Sequence, residues 1–189
     1  MPLPAVDMAA NVQAARTCGR CLQQPPPLTE TRAACLYGFP VDRLLLRFKF
    51  HQDLAAGRLL AQLMIDAFAP LPMPQALVPV PLHGTRLRQR GYDQALELAR
   101  PLARLWQLPL LADGLRRCRH TAPQSRLDAV QRRRNLHGAF NVKPGITWPA
   151  HVVLVDDVMT TGATLHAAAM ALRRAGVARI DAWVCARAP

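Results

Sequence analysis

Apolar residues along this chain recur with two alternating spacings, and that alternation sets out most of the architecture. Positions 41, 44, 45 and 48 keep helical spacing and predict a helix from Val41 to Lys49. A second apolar face predicts a helix from about Asp53 to Phe68, closed by prolines at 70, 72 and 74. A third, Tyr92 to Trp106, turns Ala95, Leu98, Ala99 and Leu102 to one face, with Pro101 expected to kink it. The last, Thr164 to Ala175, carries Leu165, Ala168, Ala169 and Leu172 inward, sets Arg173 and Arg174 at its C-terminal dipole and stops at Gly176.

Between these helices lie short apolar runs that read as strands: Ala33–Tyr37, Ala76–Pro81, Leu115–Cys118, Phe140–Val142, His151–Val155 and Ala178–Cys185. The prolines around Ala76–Pro81 place it at a sheet edge or an irregular end. Strands alternating with helices predict an α/β domain, a mostly parallel central sheet flanked by helices, with ligands at the strand carboxyl ends. That domain is assigned to residues 33–189. Residues 1–32 are expected to form a small irregular N-terminal appendage, because residues 1–17 lack a clear apolar period and read as a loose arm or a stray helix, and Pro25-Pro26-Pro27 forces an extended path.

Composition narrows the function classes. A chain of 189 residues with 51% hydrophobic content suits one α/β domain with a real core. No run approaches the roughly 18 apolar residues of a membrane span, and no signal-peptide pattern opens the chain, so no membrane insertion and a cytoplasmic location are expected. Five unevenly spaced cysteines do not describe a disulfide framework. Twenty-four Lys and Arg against 12 Asp and Glu leave a net charge of +12, carried almost entirely by arginine. Guanidinium forks suit phosphates, so nucleic acid or a polyphosphorylated substrate fits; a GC-rich genome would also enrich arginine.

One segment carries the chemistry: Val152-Val153-Leu154-Val155-Asp156-Asp157-Val158-Met159-Thr160-Thr161-Gly162-Ala163-Thr164. Apolar residues make a buried strand, two carboxylates stand at its end, and a loop of small hydroxylic residues runs into a helix. Amides at a helix start are ready donors to phosphate, and carboxylates accept from sugar hydroxyls or hold Mg²⁺ or its waters. An ordinary strand–turn–helix with capping acids would share the pattern. Neither G-x-x-x-x-G-K-[ST] nor G-x-G-x-x-G occurs, so a nucleoside triphosphate or dinucleotide is a poorer guess.

This segment resembles the 5-phosphoribosyl-1-pyrophosphate (PRPP) signature of the type I phosphoribosyltransferases. The resemblance implies that Asp156 and Asp157 meet the ribose 2′- and 3′-hydroxyls as the catalytic acids, and that Thr160, Thr161, Gly162, Ala163 and Thr164 cradle the 5′-phosphate. Three further blocks resemble the narrower ComF family of ComFC and GntX-like proteins: Tyr37-Gly38 through Leu44-Leu45 to Phe48-Lys49-Phe50-His51; Val78-Pro79-Val80-Pro81-Leu82-His83 with Arg86, Arg88, Arg90-Gly91-Tyr92 and Gln94; and Arg117, Arg119, Thr121, Gln124, Leu127, Asn135 and Gly138-Ala139-Phe140. Together they cover most of residues 18–185 in order.

In an extended segment Arg86, Arg88 and Arg90 would share a face. That face, with Lys49, is a candidate receiver of pyrophosphate, on which charge builds as the ribose carbon becomes oxocarbenium-like. A solvated basic face is the plainer alternative. The resemblance makes the arginine-rich stretch holding Arg117, Arg119 and Gln124 a flexible hood that closes over PRPP; the same density of arginine could track a nucleic-acid backbone. Cys18-x-x-Cys21 has zinc-knuckle spacing, but ComF proteins usually carry two such pairs and this chain has one, so Zn²⁺ is doubtful. Cys118 and Cys185 read as buried apolar residues. The expected function is therefore PRPP binding with Mg²⁺, with phosphoribosyl transfer to an unknown acceptor and, by resemblance, a link to DNA uptake in natural transformation. The alternative is a non-catalytic module that keeps the phosphate pocket to hold single-stranded DNA or an uptake protein.

Overall fold

Four parallel strands in the order β1-β6-β5-β2 form the central sheet of the protein, whose computed structural model describes residues 27–118 and 138–188. They are β1 (Glu30–Leu36), β2 (Ala76–Pro79), β5 (His151–Met159) and β6 (Arg179–Arg187); a hairpin of β3 (Leu115–Arg117) and β4 (Phe140–Val142) lies apart. The helices are α1 (Val41–Phe50), α2 (Leu54–Phe68), α3 (Gly84–Arg90), α4 (Gln94–Leu105) and α5 (Ala163–Arg174).

Alternation along the strands feeds two cores. Leu77, Val153, Val155, Trp183 and Cys185 pack under α1, α2 and α4, where Phe68 stacks on Trp183 at 5.0 Å. On the other face Val78, Val152, Leu154, Ile180, Ala182 and Val184 meet α5 and the hairpin. Both faces of β5 and β6 are covered, which explains their unbroken apolar runs. Beyond β2 the chain adds one stub, since Leu77 exchanges backbone bonds with Pro109 and Leu111, both at 2.9 Å.

The expected elements stand, with corrections near the site. β5 does not end at Val155: Asp156 to Met159 stay in the strand, because Val158 and Met159 pair with Ala186 and Arg187 of β6. The segment holding Arg86, Arg88 and Arg90 is a helix, not extended. His83 Nδ1 accepts from Thr85 N–H at 3.3 Å to start α3, and Gly91, at φ 82°, ends it in a left-handed turn. Cys185 is buried as expected, but Cys118 is exposed, at the point where β3 ends. Residues 1–26, with Cys18 and Cys21, and residues 119–137, with Arg119 and Gln124, lie outside the described residues, while Glu30 to Arg32, expected in the appendage, belong to β1. No helix among the described residues is long and apolar enough to cross a membrane.

Candidate functional site

The site forms where β2 stops and β5 continues. Pro79 is the last residue of β2 to pair with β5, opposite Val155, and Val80 N–H donates to Val155 O at 2.9 Å. Beyond it β5 keeps only β6 as neighbour, so Asp156 and Asp157 stand on an open shoulder at the carboxyl end of the sheet.

Successive strand residues face opposite sides, and this separates the two acids. Asp157 turns toward α1, where its Oδ2 lies 3.0 Å from Lys49 Nζ. Asp156 turns toward α5 and borders a small cavity of about 40 Å³ with Met159, Thr160, Gly162, Ala163 and Thr164. Gly162, at φ 72°, takes the left-handed turn that starts α5, and no side chain caps the helix there. This helix start without a side-chain cap borders the cavity, and amides at a helix start are donors suited to a phosphate.

The second cavity, about 210 Å³, lies on the Asp157 side and is lined by Lys49, Phe50, Gln52, Arg86, Gln89 and Arg90. The helical turn explains its membership. Arg86 and Arg90 are four residues apart on one face of α3, whereas Arg88 points away and is exposed. Arg90 is held by Gln94 at 2.8 Å and lies 5.4 Å over the Phe50 ring. Burial and the neighbouring Arg90 press the Arg86 pKa down. Arg117, expected in a flexible loop, stands instead on β3 over the Phe140 ring at 5.4 Å. Burial lowers its pKa, with Arg86 adding to the shift and Asp156 opposing it.

Burial, reinforced by Asp157 and Asp93, pushes Asp156 up to about 8, while the Asp157 N–H (2.9 Å from Oδ1) and Lys49 pull the other way. A carboxyl buried beside further acids is an arrangement that ligand sites favour. Asp93 was not anticipated. It caps α4 through Leu96 N–H at 3.2 Å and takes Leu82 N–H at 2.8 Å, tying the turn after β2 to the helix. An Asp directly before the apolar period of α4 is a readable cap signal; the bond to Leu82 is not. Beside it, Tyr92 OH donates to Phe48 O and its ring lies 5.4 Å from Phe48, which fixes the backbone next to Lys49. His51 is exposed, caps α1 and lines neither cavity.

Mg²⁺ fits this donor set only in part. Carboxylate oxygen is its ligand type, but among the described residues no three His, Cys, Asp or Glu side chains gather around one point. An ion here would take one or two carboxylates and complete its shell with substrate oxygens and water. Cys35 is half-buried on β1, and burial raises the Cys185 thiol to about 12; among the described residues neither joins a group of three or more metal-ligating side chains.

The family model described as phosphoribosyl transferase domain matches residues 122–189. Over 182 residues the chain is 38% identical to Competence protein F of Haemophilus influenzae, covering 92% of this chain and 80% of that protein. It is 38% identical to DNA utilization protein YhgH of Salmonella typhi, covering 90% and 77% respectively. Similarity to Competence protein ComFC of Bacillus subtilis is 30% identity, over 80% of this chain and 61% of that protein.

Proposed function

Since the chain belongs to the ComF family, whose relatives include Competence protein F, ComFC and YhgH and which carries a phosphoribosyl transferase domain, we propose that it binds PRPP and transfers its phosphoribosyl group. One observation carries this reading: the two acids stand between an uncapped helix start on one side and a cavity with three cations on the other. A molecule with a single phosphate, a diol and a pyrophosphate matches that sequence of groups.

In this reading the amides of Thr160–Thr164 hold the 5′-phosphate. Asp156 and Asp157 accept hydrogen bonds from the ribose hydroxyls and offset positive charge at C1. Lys49, Arg86, Arg90 and Arg117 receive the pyrophosphate. The C1–O bond breaks with its electron pair leaving on pyrophosphate, and a bond forms from C1 to the acceptor's nucleophile. Mg²⁺, when bound, supplies further neutralisation of the pyrophosphate. The names of the relatives extend the proposal to a role in DNA uptake or use.

Calorimetry with PRPP and Mg²⁺ on the wild type and an Asp156→Asn/Asp157→Asn variant tests it. We expect micromolar-range binding by the wild type and none by the variant; unaltered affinity would overturn the assignment. A second reading keeps the site as a non-catalytic module for single-stranded DNA. It is favoured by the Phe50 ring, 63% exposed beside three cations, which offers a stacking face. Titration of labelled single strands at several salt concentrations tests that branch, and a flat salt response counts against it.

A further inference from the structure

Lys49 belongs to two places at once. Its Nζ pairs with Asp157 at 3.0 Å, yet the same side chain lines the cavity of Arg86 and Arg90. The paired side chains are only 19% and 13% exposed, so separating them without new partners would strand two poorly solvated charges. The backbone beneath is fixed. Phe48 is fully buried against Gly57, its carbonyl is taken by Tyr92, and Gln52 holds a left-handed φ of 53° just past the end of α1. What remains free to choose between the two partners is the ammonium at the end of its four-carbon stem.

We propose that Lys49 couples the two cavities. An anion entering the Arg86–Arg90 cavity draws the ammonium from Asp157, and the carboxylate so released is completed by a sugar hydroxyl or a divalent cation. Occupation of the cationic cavity and of the acid shoulder is then cooperative, because each supplies the partner that the other's arrival removes. The identity of the second ligand rests on the phosphoribosyl reading; the exchange of partners by Lys49 does not. Until an anion arrives, Lys49 also keeps Asp157 from acting as an open cation trap.

Inorganic pyrophosphate, titrated by calorimetry without divalent ions, tests the coupling in a double-mutant cycle of Asp157→Asn and Lys49→Met. Asp157→Asn removes the rival for the ammonium, so pyrophosphate affinity should rise about fivefold, whereas in the Lys49→Met background the gain should stay below about twofold. A parallel cycle with Lys49→Gln, with melting curves on every variant, separates coupling from misfolding. Equal gains in both backgrounds overturn the coupling and leave the cavity as an anion site. Pyrophosphate that binds the wild type no better than it binds Arg86→Met/Arg90→Met overturns the cavity reading and the coupling together.

Discussion

The two ends of one sheet treat their carboxylates in opposite ways. At the amino end Asp181, 5% exposed on β6, is paired through one oxygen: His151 Nε2 lies 2.8 Å from its Oδ2 and Arg179 reaches the same oxygen through Nε at 3.0 Å, while its buried Oδ1 has no hydrogen-bond partner among the described residues. Arg179, Glu30 and Arg32 carry the pairing across to β1. At the carboxyl end Asp157 has Lys49, but burial, with Asp157 and Asp93 adding like charge, pushes Asp156 up to about 8. Opposite charges matched around Asp181 hold the fold together. Like charges left together around Asp156 are tolerated where a ligand is to supply the relief.

The sharpest way to break this contrast is to remove the matched acid. Asp181→Ala leaves His151 without its carboxylate and Arg179 with Glu30 alone, and should lower stability by about 2 kcal/mol, roughly 4–8 °C in Tm by calorimetry. A gain in stability would put Asp181 in the same class as Asp156. Next, Gly57→Ala places a methyl 2.4 Å from the Phe48 ring, so it should lose about 2 kcal/mol despite alanine's better helix propensity. Because Phe48 precedes Lys49, pyrophosphate binding should weaken with it.

Removing a crowded acid should do the reverse. Folding raises the Asp156 pKa above its unfolded value, so the folded chain holds the extra proton; its stability is full at low pH and declines as pH climbs toward 8. Asp156→Asn should therefore stabilise the empty protein by about 1–2 kcal/mol at pH 8 and flatten that decline in urea titrations, while abolishing PRPP binding. An unchanged pH profile would show that Asp156 ionises normally. Smallest in scale, Arg86→Met should weaken pyrophosphate about tenfold. Arg88→Met, on the exposed face of α3, should stay within about twofold; equal losses would restore an extended arginine face.

Much of the fold was legible because its signals are local. Helical spacing at 41, 44, 45 and 48 and the apolar run of β6 each need only a dozen residues to read. The site was legible as residue types and less so as geometry. Alternate arginines suggested an extended segment, since α3 has seven residues and buries none of them, leaving no apolar stripe; only His83 and Gly91 mark its ends. Asp156 to Met159 looked like a turn because two acids and a glycine-bearing loop follow the apolar run, whereas pairing with β6 keeps them extended. The bond from Tyr92 to Phe48 spans 44 residues and has no signature in either segment. The resemblance puts Arg117 in the hood because its β4 partner, Phe140, lies beyond the arginine-rich stretch.

The stub beyond β2 has a consequence for how molecules meet one another. Along β2 the even-numbered amides turn inward, as Val80 does toward Val155, and the odd-numbered ones turn out. Of the outward pair, the Leu77 amide is already spent on Pro109, and residue 79 is a proline with no hydrogen to give. This rim of the sheet therefore cannot template a foreign strand. Of the two rims of the four-stranded sheet, strand addition is thereby left to β1, whose outer side pairs with no strand among the described residues and where Glu30 and Arg32 place charge against a newcomer.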